Sequence, residues 1–494
     1  MNRRLLTLLL ALAPFMPQGL LANPAVAPPA LLALESCHLA VPQYPLRIAA
    51  KCTELDVPEN PEDPDGRRIE LSIAVLPATS RAREPDPLMF ITGGPGQSAL
   101  DSYVSVSPAF SRMNRSRDIV LVDQRGTGGS NALRCAASDD FDELNASAEQ
   151  RRAWLADCLA ALPGDPRYYT TSVAVRDLDA VRVALGYERV NLYGISYGTR
   201  VAQAYARRFP DRTRSVILDG VVPMDLALGP DISLDAQRAL EMLFDRCAAD
   251  PACAERFPAL RDGFARIQRQ LREAPVQLVL ADPVTAELTE SVFTDEYFSG
   301  IVRMFSYAPE TVALLPLLID HAATTGDFAP LAAQTLLVLQ ELGDSIATGM
   351  HNAIVCTEDL PFIDDGEAMR SRLDETYLGA NTLEYLVEAC GLWPRGVIDD
   401  DFKQPWTSDI PTLVLSGEAD PVTPPANGEH VLKTLSNAKH VVGPGQGHGL
   451  SLRGCIPRLM AEFIEAGDPA TIDAECVTRL QPSPFFLRFT GPNP

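Results

Sequence analysis

The residues best suited to chemistry in this chain lie in the segment Gly194-Ile195-Ser196-Tyr197-Gly198. An apolar, β-prone run precedes the serine and an amphipathic run follows it, so the pattern predicts a strand, a sharp turn and a helix. A serine hydroxyl attacks a carbonyl only when a base takes its proton and the turn lifts Oγ clear of the main chain. In such a turn the residues two before and two after the serine nearly touch, which favours glycine at both positions. The spacing therefore indicates a nucleophilic serine at position 196.

A nucleophilic serine needs a histidine base, and the histidine needs an acid that orients it. His448 lies in a glycine-rich loop after the last predicted strand, and its titration range suits a base near neutral pH. Asp420 follows another predicted strand in a loop stiffened by prolines and is the candidate acid, with Glu418 as the alternative. The order Ser196, Asp420, His448 along the chain is that of the α/β-hydrolase fold. We interpret the five other histidines as structural: His38, His321, His351, His430 and His440.

The reaction of such a serine also needs two main-chain N–H groups that stabilise the oxyanion. Tyr197 directly follows the nucleophile at the start of a predicted helix, where N–H groups are free, and is the first candidate donor. The second donor should come from a loop after an early strand, and the glycine-rich segment at 93–96 occupies that position. Because Pro95 has no N–H group, we expect Gly94 to be the donor.

Predicted strands alternate with predicted helices on both sides of a long insert. This alternation predicts a mostly parallel sheet with helices on both faces. Helical apolar spacing predominates in the insert, with one possible short strand, so we expect a large helical cap over the carboxyl edge of the sheet, where ligands bind. The predicted strands are Ile69–Leu76, Leu88–Thr92, Asp118–Asp123, Val190–Tyr193, Ser215–Asp219, Gln277–Ala281, Thr412–Ser416 and His440–Val442. The predicted organisation is a signal segment at 1–22, a core at 23–222, a cap at 223–408 and the rest of the core at 409–494.

The amino terminus and the cysteines both point to export. Two arginines precede a short apolar run, and a small residue, Ala22, lies at the predicted cleavage site, which is typical of a signal peptide. No later segment has 18 unbroken apolar residues, so we expect the mature chain to have no integral membrane segment. The ten cysteines fall in close consecutive pairs, which is typical of disulfides in an exported chain. The simplest pairing is Cys37 with Cys52, Cys135 with Cys158, Cys247 with Cys253, Cys356 with Cys390 and Cys455 with Cys476.

The formal net charge of −23 in 494 residues argues against a nucleic-acid partner, which requires a basic face. No clustered cysteine or histidine spacing suggests a metal site. The chemistry of a serine, a histidine and an acid needs no metal and no organic cofactor.

Together these motifs resemble the secreted tripeptidyl aminopeptidase and proline iminopeptidase group of α/β-hydrolases. The matching segments share their order and approximate spacing with that group over about residues 50–480, and one departure is Thr92, where proline iminopeptidases usually have histidine. The resemblance implies a periplasmic or secreted serine exopeptidase that acts on peptides with a free N-terminus. The matching segments are Gly93-Gly94-Pro95-Gly96, Asp123-Gln124-Arg125-Gly126-Thr127-Gly128-Gly129-Ser130, Gly194-Ile195-Ser196-Tyr197-Gly198, Asp420-Pro421-Val422-Thr423-Pro424-Pro425 and Gly447-His448-Gly449.

An aminopeptidase must bind a protonated amine, and a carboxylate in a partly dry pocket does so. Relatives use acidic residues of the cap, so we expect Glu358 and Asp359 to have this role, with Asp295 and Glu296 as the alternative pair. Two rival functions stay open at this point. One is an esterase or lipase with the same triad, and the other is a binding protein that has lost catalysis.

Overall fold

The computed structural model describes residues 31–42, 44–136, 145–281 and 286–490, so the predicted signal segment lies outside the described residues. The strands are β1 Glu35–Leu39, β2 Ile48–Pro58, β3 Arg68–Leu76, β4 Leu88–Ile91, β5 Ile119–Val122, β6 Val190–Ile195, β7 Thr213–Asp219, β8 Val276–Ala281, β9 Leu288–Phe293, β10 Thr412–Gly417 and β11 Ala438–Gly443. The helices are α1 Ala99–Val106, α2 Ala148–Ala161, α3 Thr171–Ala184, α4 Tyr197–Arg208, α5 Pro230–Ala249, α6 Pro251–Arg256, α7 Leu260–Glu273, α8 Asp295–Phe305, α9 Pro309–Val312, α10 Leu315–Thr325, α11 Ala329–Ser345, α12 Thr348–Glu358, α13 Glu367–Asp374, α14 Asn381–Cys390, α15 Pro425–Leu432 and α16 Ile456–Ala466.

Nine strands form one sheet in the order β1-β2-β3-β5-β4-β6-β7-β10-β11. The six strands from β5 to β11 in that order are parallel, and β1, β2 and β3 form an antiparallel edge. The nucleophile strand β6 lies near the middle, between β4 and β7. This topology confirms the predicted fold class, an α/β-hydrolase fold with a mostly parallel sheet.

Helices cover both faces of the sheet, because alternate residues of each strand point to opposite faces. On β6, Leu192 packs into a cluster that includes Val201 of α4, while its neighbour Tyr193 packs into a second cluster with Phe463 of α16. The central strands are buried along almost their full length, as expected for a parallel sheet covered on both sides.

The long insert between β7 and β10 contributes to two different cores. Helices α5–α8, α10 and α11, with the β8–β9 hairpin, share one hydrophobic cluster separate from the sheet, and we call this unit the cap. By contrast, α12 and α14 contribute to the cluster that covers the sheet, through residues such as Met350 and Leu386. The chain returns to the sheet directly after α11, where the Ala347 N–H donates to the Gly96 carbonyl at 3.0 Å.

The cap is mainly helical and contains the short strand expected near 277–281, paired in an antiparallel hairpin. The segment Glu310–Ala323 has the apolar spacing of a single helix, but the structure divides it into α9 and α10. Pro316 lies in the first turn of α10, and because proline has no N–H group and crowds the preceding turn, the helix restarts there.

Five disulfides join the cysteines in the consecutive pairs predicted from the sequence. Such a set fits a chain exported to an oxidising compartment. Within the described ranges, no helix has the length and apolar character needed to cross a membrane.

Candidate active site

The turn between β6 and α4 holds Ser196 in a strained conformation, with φ at +56°. A Cβ on Gly194 would lie 2.4 Å from the Gly198 carbonyl oxygen, and a Cβ on Gly198 would lie 2.4 Å from the Ile91 carbonyl oxygen. Both glycines are therefore required by close main-chain approach, as the sequence predicted. A non-glycine residue at positive φ persists only where surrounding structure holds it, and such residues cluster at functional sites.

The glycine-rich loop after β4 lies directly against the serine. A Cβ on Gly93 would lie 2.9 Å from Ser196 Cβ and 3.5 Å from its Oγ. Gly94 has a φ of +105°, a conformation that favours glycine. The first turn of α4, which begins at Tyr197, has N–H groups without helical acceptors. Both proposed oxyanion donors thus belong to segments beside the serine, and the assignment of Gly94 and Tyr197 stays a prediction.

Asp420 and His448 form a hydrogen-bonded pair. The Nδ1 atom of His448 lies 2.8 Å from Oδ2 of Asp420, whose side chain has no exposed surface. Thr423 donates its hydroxyl to the same Oδ2 at 2.8 Å, and its Oγ1 lies 3.0 Å from His448 Nδ1. The other carboxylate oxygen of Asp420 accepts the N–H groups of Val422 and Thr423. The alternative acid Glu418 is exposed and accepts from the N–H of Gly445 instead.

The electrostatics of the pair suit a base that becomes charged. Burial by itself raises the pKa of Asp420, but His448 and the N–H donors outweigh it, so the pKa lies below its ordinary value. Burial lowers the pKa of His448, but the charge of Asp420 and its hydrogen bond raise the pKa above the ordinary value. A carboxylate that stays ionised can orient the imidazole and stabilise its protonated form.

The end of β7 brings the serine and the histidine to one place. The Ser196 N–H donates to the Asp219 carbonyl at 2.9 Å, and a Cβ on the next residue, Gly220, would lie 3.1 Å from Cε1 of His448. Within the described residues the Ser196 hydroxyl makes no hydrogen bond. In substrate-free active sites such bonds are often long and tighten only when substrate binds.

Three residues that the sequence analysis did not single out fix the histidine loop and the acid loop. The buried Asp219 carboxylate accepts the N–H groups of Leu450 and Ser451 at 2.8 and 3.0 Å. Tyr307, just after α8 of the cap, accepts the His448 N–H at 2.8 Å and packs its ring against the imidazole, with centroids 5.1 Å apart. Arg238 of α5 donates to the main-chain carbonyl of Asp420 at 2.6 Å. Only Asp219 had a signal in the sequence, because it is an acidic residue at the carboxyl end of the strand beside β6.

Glu358 and Asp359, expected to bind a substrate amine, are fully buried beneath α4. The two Glu358 oxygens accept the N–H and the hydroxyl of Thr171 at 2.7 and 2.8 Å, and Asp359 pairs with Arg200 at 2.8 Å. Burial raises the pKa of Glu358 to about 7, although the charge of Arg200 opposes this. Because both carboxylates are enclosed and already partnered, this arrangement gives a substrate amine no access to them, and the expected role finds no support here.

The alternative acidic pair, Asp295 and Glu296, also offers no partly buried carboxylate that is free to bind an amine. Asp295 is buried and pairs with Arg272 at 2.6 Å, while Glu296 is exposed on α8. Two other cap carboxylates, Asp231 and Asp235, lie one turn apart on α5, and both are partly buried. Burial, with the negative charges of Asp231 and Asp420, raises the pKa of Asp235 to about 7, although the charge of Arg238 opposes this.

Among the other histidines with described contacts, His351 lies against the loop that contains Gly94, and three are engaged elsewhere. His321 pairs with Asp327 at 3.1 Å and His430 with Asp225 at 2.8 Å. His440 lies 2.9 Å from the Ser416 hydroxyl, and burial lowers its pKa. Burial also lowers the pKa of His351, although a hydrogen bond to the Pro95 carbonyl acts in the opposite direction. Within the described ranges, no group of three or more His, Cys, Asp or Glu side chains could hold a metal ion.

Comparison with known proteins agrees with this geometry. Residues 86–256 match a family described as alpha/beta hydrolase fold, and residues 375–476 match one described as TAP-like protein. The serine protease Hip1 of Mycobacterium tuberculosis is 26% identical over 483 residues, which cover 89% of this chain and 90% of that protein. The tripeptidyl aminopeptidase of Streptomyces coelicolor is 26% identical over 481 residues, covering 88% of this chain and 84% of that protein.

A third relative carries a different kind of name. Carboxylesterase B of Mycobacterium tuberculosis is 28% identical over 425 residues, and the match covers 78% of each protein. All three names describe hydrolases, and the first two describe peptidases. The chain is therefore an enzyme of the α/β-hydrolase fold, and it is similar to the tripeptidyl aminopeptidase-like serine hydrolases within that fold.

Proposed function

We propose that this enzyme is an exported, periplasmic or secreted serine aminopeptidase that releases single residues or short peptides from a free N-terminus. The observation that carries the proposal is the Asp420–His448 pair at 2.8 Å, at the same edge of the sheet as the strained Ser196. The names of two relatives, a serine protease and a tripeptidyl aminopeptidase, support peptides as the substrate class. The five disulfides support export.

In the proposed reaction Ser196 Oγ attacks the scissile carbonyl while His448 Nε2 takes the hydroxyl proton. Asp420 holds the imidazole through Nδ1 and stabilises its positive charge. The N–H groups of Tyr197 and Gly94 bind the oxyanion of the tetrahedral intermediate. His448 then gives its proton to the leaving amine, and an acyl-enzyme remains. Water, deprotonated by His448, attacks the acyl-enzyme and releases the N-terminal fragment.

The substrate amine needs a carboxylate near this centre, and Asp231 and Asp235 of α5 fit that need better than Glu358 and Asp359. The two side chains lie on one face of the helix, since they are four residues apart. Arg238, the cation nearest to Asp235 at 4.0 Å, directs two nitrogens to main-chain carbonyls of the acid loop. Asp235 is therefore a partly buried carboxylate beside the catalytic acid with only a distant counter-charge, and an ammonium group would complete its pairing.

The experiment that tests the proposed function is digestion of a peptide library, with the products identified by mass spectrometry. Matched peptides with a free and an acetylated N-terminus form the library. The proposal expects short N-terminal fragments from the free peptides and none from the acetylated ones. Cleavage at internal bonds, or equal cleavage of both sets, would show an endopeptidase instead.

An ester hydrolase is the second candidate, because one relative is named Carboxylesterase B and the triad serves both reactions. Aminoacyl anilides and simple acyl esters of equal size separate the two functions. A kcat/KM for acyl esters far above that for aminoacyl anilides would favour the esterase.

A further inference from the structure

One face of α8 borders open space and leads to the catalytic histidine. Gly300 and Arg303 of α8 are followed at helical spacing by Tyr307, two residues after the end of the helix, and each of the three is partly exposed. A Cβ built on Gly300 would meet no atom within 4 Å. At the other end, the Tyr307 carbonyl accepts the His448 N–H at 2.8 Å. We call this face, which runs from open space at Gly300 to the histidine loop at Tyr307, the wall.

Arg303 is a cation without an anion on this wall. One of its terminal nitrogens donates to the Tyr307 hydroxyl at 3.0 Å, and the guanidinium carbon lies 5.7 Å from the centre of that ring. Its Nε atom is buried and has no hydrogen-bond partner. Among the described residues no carboxylate lies within salt-bridge distance of Arg303, in a chain whose net charge is −23. Arginine donates and cannot accept, so the vacant position suits an anion.

Tyr377 adds a second unpartnered donor to the same region. Its side chain is 4% exposed, and its buried hydroxyl has no hydrogen-bond partner. The Tyr377 carbonyl accepts the hydroxyl of Ser299, a residue of α8, at 3.2 Å, so Tyr377 lies against the helix that carries Arg303. Burial raises the pKa of the phenol, while the positive charge of Arg303 acts in the opposite direction. The Tyr377 N–H donates to the side-chain oxygen of Gln237 on α5 at 2.9 Å, which fixes the position of Tyr377. A guanidinium binds a carboxylate through charge-assisted hydrogen bonds, and a neighbouring phenol O–H can donate a further hydrogen bond to it.

The position of this cluster identifies the side of the substrate that it faces. His448 gives its proton to the leaving amine, so the residue after the scissile bond lies beside the imidazole. The Tyr307 ring contacts that imidazole, and Arg303 contacts Tyr307 in turn. One residue spans about 3.5 Å of extended chain, so a carboxylate carried by the residue after the scissile bond falls near the guanidinium.

We propose that Arg303, assisted by Tyr377, binds a substrate carboxylate on the leaving-group side of the scissile bond. This inference rests on the proposed aminopeptidase function and names its substrate class: short peptides that carry a carboxylate just beyond the bond that is cut. The carboxylate is either the C-terminus of a short peptide or an acidic side chain. A charge-assisted pair of this kind changes affinity by about 10-fold or more.

Two arms of one experiment distinguish the sources of the carboxylate. The first compares kcat/KM for the tetrapeptide Ala-Ala-Ala-Ala as free acid and as C-terminal amide. The second compares C-terminally amidated peptides that have Asp or Asn after the cleaved bond, once that bond is known from the library. The wild-type enzyme should prefer the carboxylate by about 10-fold or more in one arm. Arg303→Gln should reduce that ratio to near one, and Arg303→Lys should keep part of it.

Arg269→Gln is the matched control, because Arg269 is an exposed arginine on α7 of the cap and should keep the wild-type ratio. Binding of the same peptides to Ser196→Ala, with and without Arg303→Gln, repeats the comparison without turnover. A wild-type ratio of one in both arms, a ratio that survives Arg303→Gln, or a Ser196→Ala protein that binds both members of each peptide pair equally would overturn the inference. Hydrolysis of Ala-Ala-Ala-p-nitroanilide, which has no carboxylate, reports on the proposed function separately.

Discussion

The carboxylate of Asp219 accepts a hydrogen bond from the main-chain N–H of Leu450 at 2.8 Å, two residues after the catalytic histidine. The same carboxylate accepts from Ser451 N–H and from the Tyr193 hydroxyl, and it has no exposed surface. Asp219 also ends β7, whose last carbonyl accepts the Ser196 N–H. One buried residue thus contacts both the histidine loop and the nucleophile turn and fixes their relative positions.

Asp219→Asn should therefore lower kcat about 10-fold or more while KM changes little, because a misplacement of about 1 Å in catalytic geometry has a cost of this order. An asparagine amide turns an NH₂ group toward N–H donors that need an acceptor. Steady-state kinetics on a tripeptidyl anilide measure the effect, with the exposed Asp211→Asn as control. A variant with wild-type kcat would show that other contacts suffice to hold the loop.

The pH profile should show the raised pKa of His448. The neutral imidazole is the base, so activity is lost as pH falls through this pKa, and the acidic limb of kcat/KM should lie above the ordinary histidine value of about 6.5. Asp420→Asn removes the charge that raises the pKa, so the limb should move to lower pH while kcat falls by about 10³-fold or more. A limb that stays in place in Asp420→Asn would mean that another group titrates there.

Asp235→Asn should raise KM for free-amine peptides by about 10-fold, because it removes a charge-assisted partner of the ammonium. In the wild-type enzyme the pKa of Asp235 lies at about 7, so KM for these peptides should also rise as pH falls below that value and the carboxylate is protonated. Asp245→Asn is the matched control on the same helix, since its side chain is 79% exposed. Equal KM changes in the two variants would remove Asp235 from the binding of the amine.

Much of the site follows from local sequence, and the remainder depends on partners distant along the chain. The role of Gly194 and Gly198 could be predicted because a sharp turn brings parts of the main chain together within five residues. The burial of Glu358 could not be predicted in this way, because its partners Thr171 and Arg200 are 187 and 158 positions away in sequence. Only the fold shows that they enclose it. The same limit applies to α12, which lies within the insert but packs on the sheet, because its packing partners are distant along the chain.

Glu358→Ala should destabilise the fold, because it leaves the buried Thr171 N–H without an acceptor and Arg200 with one counter-charge fewer. We expect a loss of about 3–5 kcal/mol in the free energy of unfolding, and a smaller loss for Glu358→Gln, which keeps an acceptor oxygen. Chemical denaturation of the oxidised protein measures both. Wild-type stability together with a raised KM only for free-amine peptides would instead restore Glu358 as an amine ligand.

The central claim is that Ser196 is a nucleophile activated by His448, and covalent labelling tests it most directly. A fluorophosphonate probe should label one serine per chain, and peptide mass spectrometry should locate the label on Ser196. The rate of labelling should fall by about 10³-fold or more in His448→Ala, since the hydroxyl then has no base. Labelling at a different serine, or an unchanged rate in His448→Ala, would contradict the account.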